Sequence, residues 1–244
     1  MLHKLRGLVL RTTPYSDNSL IVNLYTDLYG LQSYMARGIH SKTSKVKAGY
    51  FGNLMVLDFI ASKTEKHRLE RIQEITSARS FTVEFDPVKN AIFFFLNELL
   101  CKTIHGEEAN VGLFEFLLYS LEFLQLKENG FSNFHLVFML KYSQYLGCSP
   151  GVASPGEAFP EDPYYFDLAE GRFVQVQPRH PHYLDQNLSH SMHELLQLRY
   201  ENCGQIDLKN QQRKLLLRAL LDYYRLHSAL TAELSSHAIL EQIG

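Results

Sequence analysis

Tryptophan is absent from the 244 residues, and cysteine is scarce. Cys101, Cys148 and Cys203 stand far apart, an odd number without paired spacing. They offer neither a disulfide framework nor a cysteine-based zinc motif, and a reducing cytoplasm is the expected compartment. Long apolar runs are missing too. AIFFFL and LLLRALL are too short and too interrupted to span a bilayer. The opening MLHKLRGLVLRTT lacks an extended apolar stretch, so neither a secretory signal nor a membrane partner is expected. Compact enzyme signatures are also lacking. There is no G-x-x-x-x-G-K-[ST] phosphate loop, no G-x-G-x-x-G after a strand and no G-x-S-x-G nucleophile elbow. No catalytic residue is nominated, and a binding protein without a cofactor is expected rather than an enzyme.

Overall charge is nearly balanced, with a formal net of −2, but it is not evenly spread. Residues 1–80 hold 12 Lys and Arg against 6 Asp and Glu, a net of +6; residues 81–244 hold 12 against 20, a net of −8. A basic front followed by an acidic body points to a polyanion at the front. The competing explanation is that Lys and Arg guard the edges of a small β domain.

The front reads as β structure. Leu5–Thr12 is an apolar-rich run, TPYSDNS supplies turn residues, and Leu20, Val22 and Leu24 alternate with Ile21, Asn23 and Tyr25. Asp27 to Gly30 has hairpin length, and Leu31–Arg37 is a third strand. A Ser-, Lys- and Gly-rich loop over 38–52 follows, then strands at Leu54–Ala61 and Leu69–Ile75. Five short strands in about 80 residues fit a small barrel of the OB type, and an SH3-like barrel gives nearly the same string. The fold class is therefore α+β. A five-stranded barrel over 1–80 precedes a helical domain over 81–244, which carries a Pro-rich insert at about 148–187.

The change of pattern falls at Asp86-Pro87, an N-cap followed by a first-turn proline. Helical spacing continues from there through Leu100 and recurs at about Asn110–Lys127, Ser132–Gly147, Ser189–Tyr200, Asp207–His227 and Ser235–Ile243. Asp207 is the expected cap of the fifth helix. Within the insert, Tyr165–Leu168 and Arg172–Val176 flank Ala169-Glu170-Gly171 as a small hairpin.

Candidate binding residues follow from this layout. Arg37, Lys42, Lys45 and Lys47 surround a loop with little apolar content and suit phosphate contact; Arg11 and Arg6 extend that face. Arg68, Arg71 and Arg79 read as edge charges. Among Tyr15, Tyr25, Tyr29, Tyr34 and Tyr50, alternation puts Tyr25 opposite the inward Leu20, Val22 and Leu24, so it is the expected base-stacking residue. In the helical half, Phe134, Lys141 and Tyr145 suggest a protein-binding groove, with Lys141 as a carboxylate contact. His180, His182, His190 and His193 have metal-like spacing, but no thiolate or local carboxylate motif joins them, and no metal is expected there.

The order of residues in LVLRTTPYSDNSLIVNLYTDLYGLQSYMARGIHSKTSK resembles the opening of the bacterial RecO family of recombination mediators. The matching positions are Val9-Leu10-Arg11-Thr12, Pro14-Tyr15, Ser19-Leu20-Ile21-Val22, Thr26 with Gly30, and Ala36-Arg37-Gly38-Ile39 with Ser44. The helical middle, the FDLAEGRF hairpin and the DYYRLHSALTAELSSHAILEQI tail agree in outline. The resemblance implies an OB-fold, binding of single- and double-stranded DNA, and annealing of complementary strands. It also implies two protein partners, RecR and the acidic C-terminal tail of single-stranded-DNA-binding protein, and a part in loading RecA. Many members carry a four-cysteine zinc site in the insert. Here Cys148 stands alone, so zinc is not expected. Three rivals are weighed on the residues alone: an RNA-binding OB protein, a protein-only scaffold, and a hydrolase for which no nucleophile–base constellation can be named.

Overall fold

Apolar residues at every second position close the front of the chain into a barrel. The computed structural model describes residues 2–41, 43–62, 69–81, 86–106, 108–151 and 164–243. The barrel strands are β1 (Leu2–Ser16), β2 (Ser19–Thr26), β3 (Gly30–Arg37), β4 (Val56–Ser62) and β5 (Glu70–Arg79). They run in the order β1-β2-β3-β5-β4, and β1 pairs with β4 to complete the ring. Only the β3–β5 junction is parallel, which gives the OB-type arrangement rather than the SH3-like one. Leu5, Val9, Val22, Leu24, Tyr34, Leu57, Phe59 and Ile72 fill the interior. Gly7 fits closely, because a Cβ there would lie 3.1 Å from the Phe59 ring and 3.3 Å from Leu24 Cβ and would press on both.

β1 outlasts the expected turn. It runs through TPYS to Ser16 and leaves only Asp17-Asn18 as the hairpin tip. Pro14 is tolerated because the register slips between Pro14 and Ser16, and a bulge needs no ladder hydrogen bond at that point.

The chain forms two compact units, residues 1–122 and 123–244. The first contains the barrel, α1 (Pro87–Thr103) and most of α2 (Val111–Leu126). Asp86 caps α1 as its sequence suggests, its carboxylate accepting from the Lys89 N–H at 2.9 Å. α1 lies against β1, where the Cys101 thiol donates to the Leu10 carbonyl at 3.2 Å.

The second unit holds α3 (Phe134–Tyr145), a three-stranded sheet of β6 (Tyr165–Asp167), β7 (Arg172–Val174) and β8 (Tyr183–Leu184), then α4 (Gln186–Gln197), α5 (Asn210–His227) and α6 (His237–Ile243). An aromatic series runs through it from Phe134 to Phe138, Tyr142 and Tyr224, and Tyr224 donates to the Met139 carbonyl at 2.6 Å. Asn133 ties α3 to the segment before α5 by donating to the carbonyls of Cys203 (3.2 Å) and Ile206 (2.8 Å). α4 starts three residues before the expected Ser189, because the Asp185 carboxylate accepts from the Leu188 N–H and caps it there. α5 starts three residues after the expected Asp207. Lys209 takes the cap position, and Gln212 reaches back to accept from its N–H at 3.1 Å. No described helix is long and apolar enough to cross a membrane.

Tyr34 is fully buried in the barrel, its ring edge-on to Phe59 at 5.2 Å. Among the described residues its hydroxyl finds no hydrogen-bond partner, and burial pushes the phenol's pKa well up. A buried hydroxyl left unpaired is destabilising by about 1–3 kcal/mol. Tyr34→Phe is therefore expected to raise the unfolding free energy by about 1 kcal/mol in denaturant titrations. A clear loss of stability would show instead that the hydroxyl is satisfied.

Candidate nucleic-acid interface

Glycine, serine and lysine make the stretch after β3 look like a loose loop, yet it is pinned to the barrel. Ile39, Val46 and Phe51 are buried and belong to the barrel core. Gly38 takes positive φ (+74°) to turn the chain out of β3, and a tight helical turn over Ala48–Tyr50 brings Phe51 inward. Asn18 in the β1–β2 tip holds the other end. Its carbonyl accepts from the Gly38 N–H at 2.9 Å and its side-chain oxygen from the His40 N–H at 3.0 Å. The Ser-, Lys- and Gly-rich loop expected over 38–52 is thus a cap pinned to the barrel, because three apolar side chains interleaved with the lysines are buried in its core.

The cations divide by what they touch. Arg37 is exposed at the end of β3, opposite Ser19. Arg11 is exposed on β1 opposite Asn23, which in turn faces Ser33 on β3. Val22 and Tyr34 point inward, so Asn23, Ser33, Met35 and Arg37 belong to the outer surface. Arg71 joins them. It sits opposite Met35 across the β3–β5 junction, next to the inward Ile72. Sequence reading passed over Arg71 as an edge charge, although its alternation with Ile72 already directed it outward. Arg11, Arg37 and Arg71 therefore share the outer wall built from β1, β2, β3 and β5. In OB barrels the surface of strands 2 and 3 is the usual binding face.

The remaining candidates are partly engaged. Lys45 is exposed and pairs with Glu74 on β5 at 2.9 Å, and Lys47 donates to the Ser41 carbonyl at 2.8 Å. Lys42 and Arg68 lie outside the described residues. Arg6 is a correction. Its guanidinium donates to Asp27 (3.3 Å) and Glu115 (2.5 Å) and lies over the Phe114 ring, and Glu115 holds its pKa above the ordinary value. It is used inside the first unit rather than offered to a ligand. Arg79 is similarly occupied by Glu122 and the Phe81 ring.

Tyr25 is the second correction. Alternation does turn it to the outside of the barrel, but α2 covers that side. Tyr25 is 3% exposed, 6.3 Å from the Phe114 ring, and its hydroxyl donates to the Asn110 carbonyl at 3.4 Å. Burial also raises its pKa. No base can reach it. Tyr34 is in the core, and Tyr29 and Tyr50 pack against it. Tyr15 alone of the five is widely open, at 63%.

On the helical side, Phe134 is fully buried in a cluster with Phe123 (6.2 Å) and Tyr200 (4.8 Å), so it cannot line a groove. Lys141 and Tyr145, one turn apart on α3, do reach the surface. Desolvation lowers the Lys141 pKa; nearby Glu201 opposes this and Arg199 adds to it. Lys127 lies over the Phe123 ring and donates to the Glu201 carbonyl at 3.0 Å. Sequence reading missed Arg199, which comes from a distant segment and nears Lys141 only on folding.

The histidines separate into two pairs. His180 contacts the Asp167 carboxylate at 3.1 Å with His182 beside it, while His190 and His193 flank the Tyr164 hydroxyl at 3.3 and 3.5 Å. Among the described residues no three His, Cys, Asp or Glu side chains gather to hold a metal. The thiols do not fit a cysteine zinc site either. Cys203 donates to the Gly130 carbonyl, Cys101 belongs to α1, and desolvation raises the Cys148 pKa instead of favouring its thiolate.

Comparison with known proteins agrees over the whole chain. Residues 1–81 match the family described as Recombination protein O N terminal, and residues 84–236 match Recombination protein O C terminal. Similar proteins include three named DNA repair protein RecO. The one from Azobacteroides pseudotrichonymphae is 30% identical, covering 100% of this chain and 99% of the relative. The one from Phocaeicola vulgatus is 33% identical over the same shares, and that from Bacteroides fragilis is 34% identical over 93% of each chain.

If the cap is held by core burial, Phe51→Ala should lower the unfolding free energy by about 3–5 kcal/mol and speed amide exchange across residues 38–51. Unchanged exchange there would show that the segment keeps its form without the core.

Proposed function

Since the chain belongs to the RecO family, whose members serve DNA repair and recombination, we propose that it is a non-catalytic mediator that binds single- and double-stranded DNA and anneals complementary strands. The observation that carries the reading is the shared outer wall of Arg11, Arg37 and Arg71 beside the fixed cap with Lys45 and Lys47. Guanidinium and ammonium groups on a rigid surface contact phosphates whatever the base, so affinity is salt-dependent and largely independent of sequence. Annealing follows when two strands, each partly neutralised by the protein, are held close enough to pair. That step needs no nucleotide hydrolysis and no resident metal. The reading places the protein with chromosomal DNA in the bacterial cytoplasm, where it acts with RecR to load RecA.

For a protein partner, the surface around Lys141 offers a second contact. Lys141 and Arg199 supply positive charge and Tyr145 supplies an aromatic edge. This combination suits a short acidic peptide with an apolar tip, such as the C-terminal tail of single-stranded-DNA-binding protein.

Replacing Arg11, Arg37, Lys42, Lys45 and Lys47 by alanine should weaken DNA binding similarly for all sequences and flatten its salt dependence. Each lost single-strand phosphate contact removes roughly 0.7 from the slope of log affinity against log salt. Unaltered binding by a correctly folded variant refutes the interface. Annealing of complementary oligonucleotides coated with single-stranded-DNA-binding protein, without nucleotide, tests the mediator step directly. Lys141→Glu should weaken binding of the acidic tail peptide roughly tenfold or more in fluorescence anisotropy. Retained affinity would exclude this surface as the tail site.

A further inference from the structure

The first fifteen residues of the chain end in an aromatic side chain that the fold presents but does not use. Tyr15 is 63% exposed, and among the described residues it makes no hydrogen bond, ion pair or ring contact. A tyrosine on a soluble surface usually lays its ring on a neighbour, because leaving apolar area in water forgoes burial. The backbone under Tyr15 is nonetheless tightly specified. Pro14 precedes it with a fixed φ. The register slips between Pro14 and Ser16, so Tyr15 and Ser16 together oppose Ser19. Two residues on, Asn18 anchors the tip to Gly38 and His40.

The register also gives the direction. Ser16 is paired with Ser19, whose other partner is the outward Arg37, and the bulged Tyr15 beside it is 63% exposed, so its ring stands on the outer side. Tyr15 therefore stands at the edge of the outer wall, two strands from Arg37, about 10 Å along the sheet. An arginine on the same wall as an open aromatic ring suits the phosphates and one base of a single strand.

We infer that Tyr15 is a base-stacking platform that lets this wall favour unpaired over paired DNA. The inference rests on the DNA-binding reading above and adds a determinant of strand type to it. Bases in a duplex already stack on one another and present only their edges in the grooves, so a single ring at a hairpin tip finds no π-face there. In an unpaired strand the face of any base is open, and stacking on it is sequence-tolerant. A strand held on Arg37 by its phosphates would place one base over the tyrosine ring. Release of that strand to its complement would then break one stack while the phosphate contacts persist, which suits a protein whose product is a duplex.

The test uses the full chain with a mixed-sequence oligonucleotide, single-stranded or annealed, at one salt concentration. Tyr15→Ala is expected to weaken single-strand binding roughly tenfold, the scale of one base–aromatic stack, and to leave duplex affinity and the salt slope unchanged. Tyr15→Phe should restore the loss, since the ring and not the hydroxyl is used. A 5-iododeoxyuridine oligonucleotide should photocross-link to Tyr15, located by mass spectrometry. Unchanged single-strand affinity of Tyr15→Ala overturns the inference, and so does an equal loss on both strand types. These results are separable from failure of the interface itself. If the wild-type chain binds no DNA at low salt, or if the basic substitutions change nothing, the underlying reading falls and this one with it.

Discussion

The basic residues owe their positions to the burial of Ile39, Val46 and Phe51 at the end of the barrel. A closed five-stranded barrel has an apolar interior whose open end must be covered, and these three side chains cover it. Fully burying such a side chain contributes about 1.5–3 kcal/mol, whereas an exposed ion pair contributes about 0–1 kcal/mol. Apolar burial therefore outweighs the Lys45–Glu74 pair in deciding where the segment lies. Because Val46 points into the core, its neighbours Lys45 and Lys47 are set at the rim by the same interaction. The cap also places Gly38 and His40 where Asn18 can hold them, which links the loop to the β1–β2 tip. Charge display on this surface is a by-product of core packing.

A count of lysines and arginines overstates what a polyanion would meet. Arg6 and Arg79 are committed to carboxylates and aromatic rings on their own unit, and Arg218 in the second unit is held in a two-point bond by Glu241. Arg11, Arg37 and Arg71 are different, since they stand on the outer strands with their heads in water. The distinction comes from position, not residue type. Arg6 and Arg79 face carboxylates of α2, and Arg11, Arg37 and Arg71 have no such pair among the described residues.

The barrel, its five strands and most helices were legible because each is set by local periodicity or a cap, as with Asp86 and Pro87 at α1. What failed did so for non-local reasons. The outward direction of Tyr25 was readable, but its cover comes from Asn110 and Phe114, some ninety residues on. Phe134 looked like a groove residue because α3 is apolar on nearly every side, and nothing in its own sequence says that Tyr200 and Phe123 cluster with it. The capping role of residues 38–52 was hidden by composition. Serines, glycines and lysines outnumber the apolar side chains there, yet Ile39, Val46 and Phe51 are enough to set the structure. Asp207 was a good cap on paper and lost to a backbone N–H satisfied by Gln212.

The outer wall under the helices carries a further consequence. Leu8, Leu10 and Tyr25 turn away from the barrel interior and are still almost wholly buried, with α1 against β1 and α2 residues against Tyr25. Arg6 reaches Glu115 across the same boundary. A barrel excised at residue 81 would lose these partners and expose a contiguous oily stripe along β1 and β2, the kind of surface through which fragments associate with themselves. The smallest piece that retains the native wall must extend through most of α2 to Glu122, so the covalent end of the β strands and the physical end of the compact unit lie about forty residues apart.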